Sequence, residues 1–155
     1  MLQPMKDKTL LSKEFKLSDG RTLNFKTMLG SRFLLYFYPK DSTPGCTVQA
    51  IDFTSFRPQF EKLGYKIFGV SRDSVASHDK FICKYNLGID LIADEDEVLC
   101  KAFDVIKEKN MYGKKVLGIE RSTFVFNEKL DVVFEWRKVK AEGHAEFILT
   151  FLQGK

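Results

Sequence analysis

Apolar residues recur along this chain with two different periods. Phe33-Leu34-Leu35-Tyr36-Phe37-Tyr38 is a continuous apolar run of strand length, the pattern of a strand covered on both faces. Lys66-Ile67-Phe68-Gly69-Val70-Ser71 is a second such run, and Leu91-Ile92-Ala93 is a shorter one. Between the first two, Val48, Ile51, Phe56, Phe60 and Leu63 fall at roughly helical spacing. That makes a βαβ unit, whose crossover should be right-handed. Pro58 lies inside the helical segment and predicts a kink or break near Arg57. Residues 74–85 read as a helix with Ser74 as N-cap, residues 94–103 as a short helix, and residues 142–152 as a final amphipathic one. Two hairpins complete the pattern. Residues 14–17 and 21–25 flank Ser18-Asp19-Gly20, whose Asp-Gly pair is a hairpin signal. Residues 122–126 and 132–136 flank a polar turn. Residues 107–118 show little periodicity and read as a polar loop. This order of elements predicts an α/β domain of three layers around a mixed sheet, with an N-terminal β-hairpin.

Composition narrows the picture. At 155 residues a chain buries roughly 68–70% of its unfolded surface, so one domain spanning 1–155 needs no covalent staples. The 15 Phe residues indicate a tightly filled core. The 25 basic and 21 acidic residues leave a net charge of +4, interspersed along the chain. That is a solvated surface rather than a nucleic-acid footprint. The longest uncharged apolar run is too short to span a membrane. The N-terminus, Met1-Leu2-Gln3-Pro4-Met5-Lys6, has neither an apolar leader core nor a small-residue cleavage site. A cytoplasmic protein is the expectation. Three widely spaced cysteines suit a reducing compartment and thiol chemistry better than a disulfide framework. There is no Cys-x-x-Cys pair, and His78 and His144 stand near no cysteine cluster apart from Cys83, so no zinc site is expected. Trp136 reads as core rather than site.

The chemistry concentrates in Pro39-Lys40-Asp41-Ser42-Thr43-Pro44-Gly45-Cys46. This segment leaves a buried strand and enters a helix, where open α/β sheets place their ligand sites. Cys46 falls in the first helical turn, beside unpaired N–H groups and the positive end of the helix dipole. Both favour the nucleophilic thiolate. Gly45 lets the backbone approach a small ligand, and Thr43 offers a hydroxyl three residues before the sulfur. A plainer reading also fits these residues: Thr43 caps the helix and Cys46 is a small buried hydrophobe.

The segment Pro39-x-x-x-Thr43-x-x-Cys46 resembles the active-site signature of the peroxiredoxins, thiol-dependent peroxidases of thioredoxin-like fold. The wider string from Tyr36 to Thr47 is similar to the bacterioferritin comigratory protein, or peroxiredoxin Q, group. Matches continue through Gly69-Val70-Ser71-x-Asp73, Asp94-Glu95-Asp96, Glu108-Lys109-Asn110-Met111-Tyr112-Gly113-Lys114 and Gly118-Ile119-Glu120-Arg121-Ser122-Thr123-Phe124. The first dozen residues match poorly. The resemblance implies that Cys46 is the peroxidatic nucleophile, attacking a peroxide oxygen and becoming a sulfenic acid. Thr43 would hydrogen-bond the peroxide, Pro39 would shield the pocket from water, and Arg121 would lie beside the sulfur and steady the charge on the departing oxygen. Without the resemblance, Arg121 is only an arginine at a strand end.

Many members of that group carry a resolving cysteine five residues after the nucleophile. This chain has Ile51 there. The candidates are then Cys83, Cys100 or an external thiol. Helical geometry places Cys83 off the face set by Val75, Phe81, Ile82 and Tyr85, towards Asp79. Cys100 lies off the face of Val98, Leu99, Ala102 and Phe103, and geometry alone does not separate the two. Some members of the group carry a resolver on the helix that here holds Cys83, which makes Cys83 the expected partner. A bridge needs the two Cα atoms within about 7 Å, so oxidation is expected to unwind the first turns after Cys46, with Pro58 stopping its spread. The implied function is a monomeric peroxidase acting on hydrogen peroxide and organic hydroperoxides, recharged by thioredoxin or a similar dithiol, with no cofactor and no metal. The alternatives are a one-cysteine cycle resolved by an external thiol, a redox-switched holdase or sensor, and a thiol–disulfide oxidoreductase. The last would normally need a cysteine where Gln49 stands.

Overall fold

A computed structural model describes residues 3–4 and 8–155. The stretch 1–6, expected to carry no leader, falls outside the described residues except for Gln3 and Pro4. Among the described residues, ten strands and four α-helices follow in the order β1 (Gln3–Pro4), β2 (Glu14–Leu17), β3 (Thr22–Asn24), β4 (Arg32–Phe37), α1 (Pro44–Lys62), β5 (Tyr65–Ser71), α2 (Val75–Tyr85), β6 (Asp90–Ala93), α3 (Val98–Ala102), β7 (Ile106–Met111), β8 (Lys114–Ile119), β9 (Ser122–Phe126), β10 (Asp131–Trp136) and α4 (His144–Gln153). Eight strands form one mixed sheet in the order β1-β10-β9-β4-β5-β6-β2-β3, with β4, β5 and β6 parallel and their other pairings antiparallel. This is the thioredoxin-like α/β arrangement with its N-terminal hairpin, β2–β3.

The central strand shows why both periods were needed. On β4 and the residue after it, Phe33, Leu35 and Phe37 join one apolar cluster, while Leu34, Tyr36 and Tyr38 join another. Successive side chains of a strand point to opposite faces, so a continuous apolar run buries both. The second cluster lies under α1, α2 and α4 and holds Cys46. The first lies under α3 and the N-terminal hairpin and holds Cys100.

Four local expectations are corrected. Helix α1 runs unbroken from Pro44 to Lys62 with Pro58 inside it. Pro58 is exposed, and Phe53 and Phe60, both buried with ring centroids 5.9 Å apart, hold the helix to the sheet on either side of it. The buried face of α1 is Cys46, Gln49, Ala50, Phe53 and Phe60. Val48 and Ile51, counted on the apolar face, are exposed. The segment 107–118 is not a loop but the β7–β8 hairpin. Its turn residues, Tyr112 and Gly113, both have positive φ, the requirement of a tight two-residue hairpin turn. Helix α3 is only five residues long. Asp94 precedes it and accepts hydrogen bonds from the N–H groups of Leu99 and Cys100 at 3.0 and 2.8 Å, so the residues from 94 onward form a capping turn. Helix α2 begins as expected, with Ser74 Oγ accepting from Ser77 N at 3.1 Å.

Candidate active site

Strand β4 delivers the site. Its ladder continues past Phe37 through Tyr38 N donating to Val70 O at 3.0 Å, and the chain then turns out of the sheet. Ser42 takes a positive φ of 63°, Thr43 is extended, and Pro44 starts α1. Proline suits that first position because its missing N–H has no helical partner to lose. Cys46 therefore sits in the first turn, and its side chain is almost wholly buried.

Arg121 reaches the sulfur because of sheet register. It immediately precedes β9, and β9 pairs with β4 so that Ser122 lies opposite Phe37. The guanidinium thus emerges at the end of β4 from which α1 departs. Its Nη2 donates to Cys46 Sγ at 3.4 Å and its Nη1 to Gln49 Oε1 at 2.6 Å. A Cβ on residue 45 would lie 3.4 Å from that Nη2, in van der Waals contact with it. Val139 N bonds the Arg121 carbonyl at 3.0 Å and holds its backbone.

Thr43 does not cap α1 with its side chain. Its hydroxyl donates to Lys40 O at 2.8 Å, which leaves its oxygen able to accept a further hydrogen bond. Pro39 is half-buried between β4 and this turn. Of the five residues singled out in the sequence, Cys46 and Arg121 are in contact, and Thr43 and Pro39 belong to the loop that carries the cysteine. Cys83 is apart from them: it is exposed on α2, with Asp79 Oδ1 3.9 Å from its sulfur, and its thiol is free. Cys100 is buried on the other face of the sheet. Burial, and then the Asp94 carboxylate, push its thiol pKa well up. It lies across the sheet from Cys46.

Several partners escaped the sequence reading. Gln49 is three residues after Cys46 and so on the same helical face, the one signal that pointed to it. It is fully buried, grips Arg121, and its Nε2 has no partner. Tyr36 Oη is likewise buried and unpaired. Desolvation, with the nearby Cys46, holds the Tyr36 phenol well above its ordinary pKa. His144, at the start of α4, meets Thr123 Oγ1 through Nε2 at 2.8 Å. Burial, and then Arg121, lower its pKa to about 4. Lys109 folds across Gly118 and donates to Ile119 O at 2.7 Å. Burial and the Arg121 charge lower its pKa too. Trp136 is half-buried and packs edge-on against Phe147 and Phe151 of α4, a packing residue as expected.

Asp41, Asp73 and His78 offer three ligand atoms within 4.8 Å of one another. All three groups are already engaged. Asp41 Oδ2 meets His78 Nδ1 and Ser77 Oγ, and Asp73 Oδ2 accepts from Asp41 N and Ser71 Oγ. The cluster is a closed hydrogen-bond network rather than a set of free ligands. Among the described residues, no helix is long and apolar enough to cross a membrane.

A buried sulfur at a helix start, with a guanidinium donating to it, is an arrangement for nucleophilic thiol chemistry. Proteins similar to this chain are known. Residues 3–134 match the AhpC/TSA family. Peroxiredoxin Bcp of Xanthomonas campestris is 56% identical over 137 residues, covering 88% of this chain and 86% of its own. Peroxiredoxin Bcp of Bacillus subtilis is 44% identical over 140 residues, covering 90% and 89%. The bacterioferritin comigratory protein of X. campestris, solved in trapped intermediate and ligand complexes in connection with its alkyl peroxide reduction activity, superposes with a TM-score of 0.90 at 51% identity over 96% of this chain and 94% of that one. A cysteine-to-serine mutant of Xylella fastidiosa PrxQ gives 0.93 at 43% identity, covering 99% and 96%. With 56% identity over 137 residues to one of these relatives and the same fold over nearly its whole length, the chain belongs to the AhpC/TSA family as a peroxiredoxin of the Bcp, or peroxiredoxin Q, group: it is a thiol peroxidase.

Proposed function

We propose that Cys46 is the peroxidatic residue and that the substrates are hydrogen peroxide and alkyl hydroperoxides. The observation that carries this is the 3.4 Å contact from Arg121 Nη2 to Cys46 Sγ, a fixed cation at the one buried sulfur that lies in the first turn of α1. The thiolate attacks the terminal peroxide oxygen. An S–O bond forms, the O–O bond breaks, and the alkoxide leaves, taking a proton to become the alcohol. Arg121 stabilises charge as it passes from sulfur to the leaving oxygen, with no reorganisation required during the step. Gln49 fixes the guanidinium through Nη1, which keeps Nη2 on the sulfur. The Thr43 hydroxyl accepts from the peroxide O–H, and Pro39 keeps water from the reacting atoms.

The product is a sulfenic acid on Cys46. Cys83 then attacks that sulfur, a disulfide forms, and the hydroxyl leaves as water. Thioredoxin or a similar dithiol returns both thiols to the reduced state. Cys83 is the fitting partner because it is exposed and sits on α2, on the Cys46 side of the sheet. The two sulfurs face different surroundings, one in the core and one in solvent. Since the bridge needs Cα atoms within about 7 Å, the first turns of α1 unwind for it to close. Hydrogen exchange checks this: the amides of residues 47–56 lose protection in the disulfide form relative to the reduced form. Equal protection in the two forms contradicts the unwinding. The same reading makes the protein a cytoplasmic monomer folded as one domain, needing no cofactor.

A further inference from the structure

The loop that carries Cys46 and the helix that carries Cys83 are tied together by a buried polar knot. Asp41 stands two residues before Thr43 and five before Cys46. Its carboxylate accepts from Tyr38 Oη at 2.6 Å through Oδ1 and from Ser77 Oγ at 2.8 Å through Oδ2. The same Oδ2 lies 2.7 Å from His78 Nδ1. Ser77 and His78 are both in the first turn and a half of α2. The Asp41 N–H donates to Asp73 Oδ2 at 2.9 Å, just ahead of that helix. Three bonds therefore join residue 41 to residues 73–78.

Counting protons shows what kind of tie this is. His78 Nε2 lies 3.0 Å from Ile92 O. A carbonyl only accepts, so Nε2 carries a proton. One further proton lies between Nδ1 and Asp41 Oδ2, and every polar atom of the pair is then satisfied. The His78 side chain has no exposure and that of Asp41 has 3%. Separating them would leave a polar ring nitrogen and a carboxylate without partners in the core, which is costly. The loop and the start of α2 are therefore held as one unit. Movement that brings Cys83 towards Cys46 has to work against this unit.

We propose that Asp41 and His78 are positioning residues that set the balance between the two halves of the catalytic cycle. The pair holds the Cys46 loop in the arrangement that reacts with peroxide, and by doing so it slows the opening that disulfide formation requires. This rests on the reading that Cys83 resolves the sulfenic acid. Loosening the tie lowers the population of the peroxide-reactive loop and raises that of the open one, since the two compete. The two steps then respond with opposite signs, which ordinary destabilisation of the fold does not produce.

The test is a single-turnover rapid-quench experiment with cumene hydroperoxide. Thiol alkylation and mass spectrometry separate the sulfenic, sulfinic and disulfide forms of the full-length protein and of His78→Phe, His78→Asn, Ser77→Ala and Cys83→Ser. His78→Phe is expected to slow sulfenic acid formation severalfold, speed disulfide formation severalfold, and reduce sulfinic acid at high peroxide. His78→Asn, which keeps a donor towards Asp41, recovers part of both effects. Ser77→Ala, which removes one bond of the tie at little cost to the core, shows the same pair of signs more weakly and carries the test alone if His78→Phe fails to fold. Both rates moving together, or neither moving while the melting temperature falls, overturns the proposal. If the unsubstituted protein forms no Cys46–Cys83 bridge and Cys83→Ser turns over unchanged, the resolving reading itself has failed, and the proposal falls with it.

Discussion

Cys46 and Cys100 are equally buried, one on each face of the same sheet, and they differ in almost everything that makes a thiol react. At Cys46 a cation meets the sulfur: Arg121 donates to it and is held by Gln49, while the buried Tyr36 Oη and Gln49 Nε2 stay unpaired. Around Cys100 the core is aromatic and aliphatic, with Phe33, Phe37, Phe124 and Phe126 in the same cluster. Burial, and then the Asp94 carboxylate that accepts from the Cys100 N–H, disfavour a thiolate there. With burial equal, the two sulfurs differ in the sign of the nearest charge, and the reactivity proposed for Cys46 rests on that difference.

The largest effect that sharpens this contrast comes from removing each sulfur in turn. Cys46→Ser is expected to abolish peroxide turnover, whereas Cys100→Ala leaves it unchanged and costs about 1 kcal/mol of stability. Coupled peroxidase assays and denaturant unfolding check the two halves. Next comes the cation. Arg121→Ala removes the donor to the sulfur and lowers kcat/KM by roughly 10²–10³-fold, the range seen when one preorganised donor to a developing charge is lost. Gln49→Ala leaves the cation in place but unanchored. It lowers the same constant by about tenfold, the equivalent of about 1.4 kcal/mol.

The smallest effect concerns pH. His144 has a folded-state pKa of about 4, below the ordinary value of about 6.5. The unfolded chain therefore binds the extra proton first as pH falls. The stability that neutral His144 contributes is complete above about pH 6.5 and is lost as pH falls towards about 4. On the other face, burial raises the pKa of Asp94, so its contribution has the opposite sign and fades as pH rises through its folded value. Denaturant midpoints between pH 4 and 7 should fall less steeply with acid in His144→Gln than in the parent. An unaltered slope shows that His144 is not held neutral.

Much of this fold is legible from residue pattern because both sheet faces are apolar. A strand such as 33–38 has no other way to bury six large side chains. The hairpin at 107–118 was not legible because it stands outside the main sheet with most of β8 exposed. With little to bury, it has no strict alternation to show. The face of α1 is also only partly legible in the sequence. Val48 and Ile51 are apolar but exposed, while Gln49 is polar and fully buried, because it shares the core face with Cys46, Ala50, Phe53 and Phe60 and accepts a hydrogen bond from Arg121 there. Cys46 and Thr43 were readable from their place at a helix start. Arg121 was not readable from spacing at all, since a sheet register joins positions 75 residues apart. The Asp41–His78 tie was hidden for the same reason.

The central claim is that Cys46 reacts with peroxide and Cys83 completes the cycle while Cys100 stays a bystander. The most direct test is intact mass and peptide mapping of the fully reduced protein after one equivalent of alkyl hydroperoxide. The expected result is loss of two hydrogens, a Cys46–Cys83 bridge and an unmodified Cys100. A single oxygen retained on Cys46 with Cys83 still free, or any oxidation at Cys100, contradicts it.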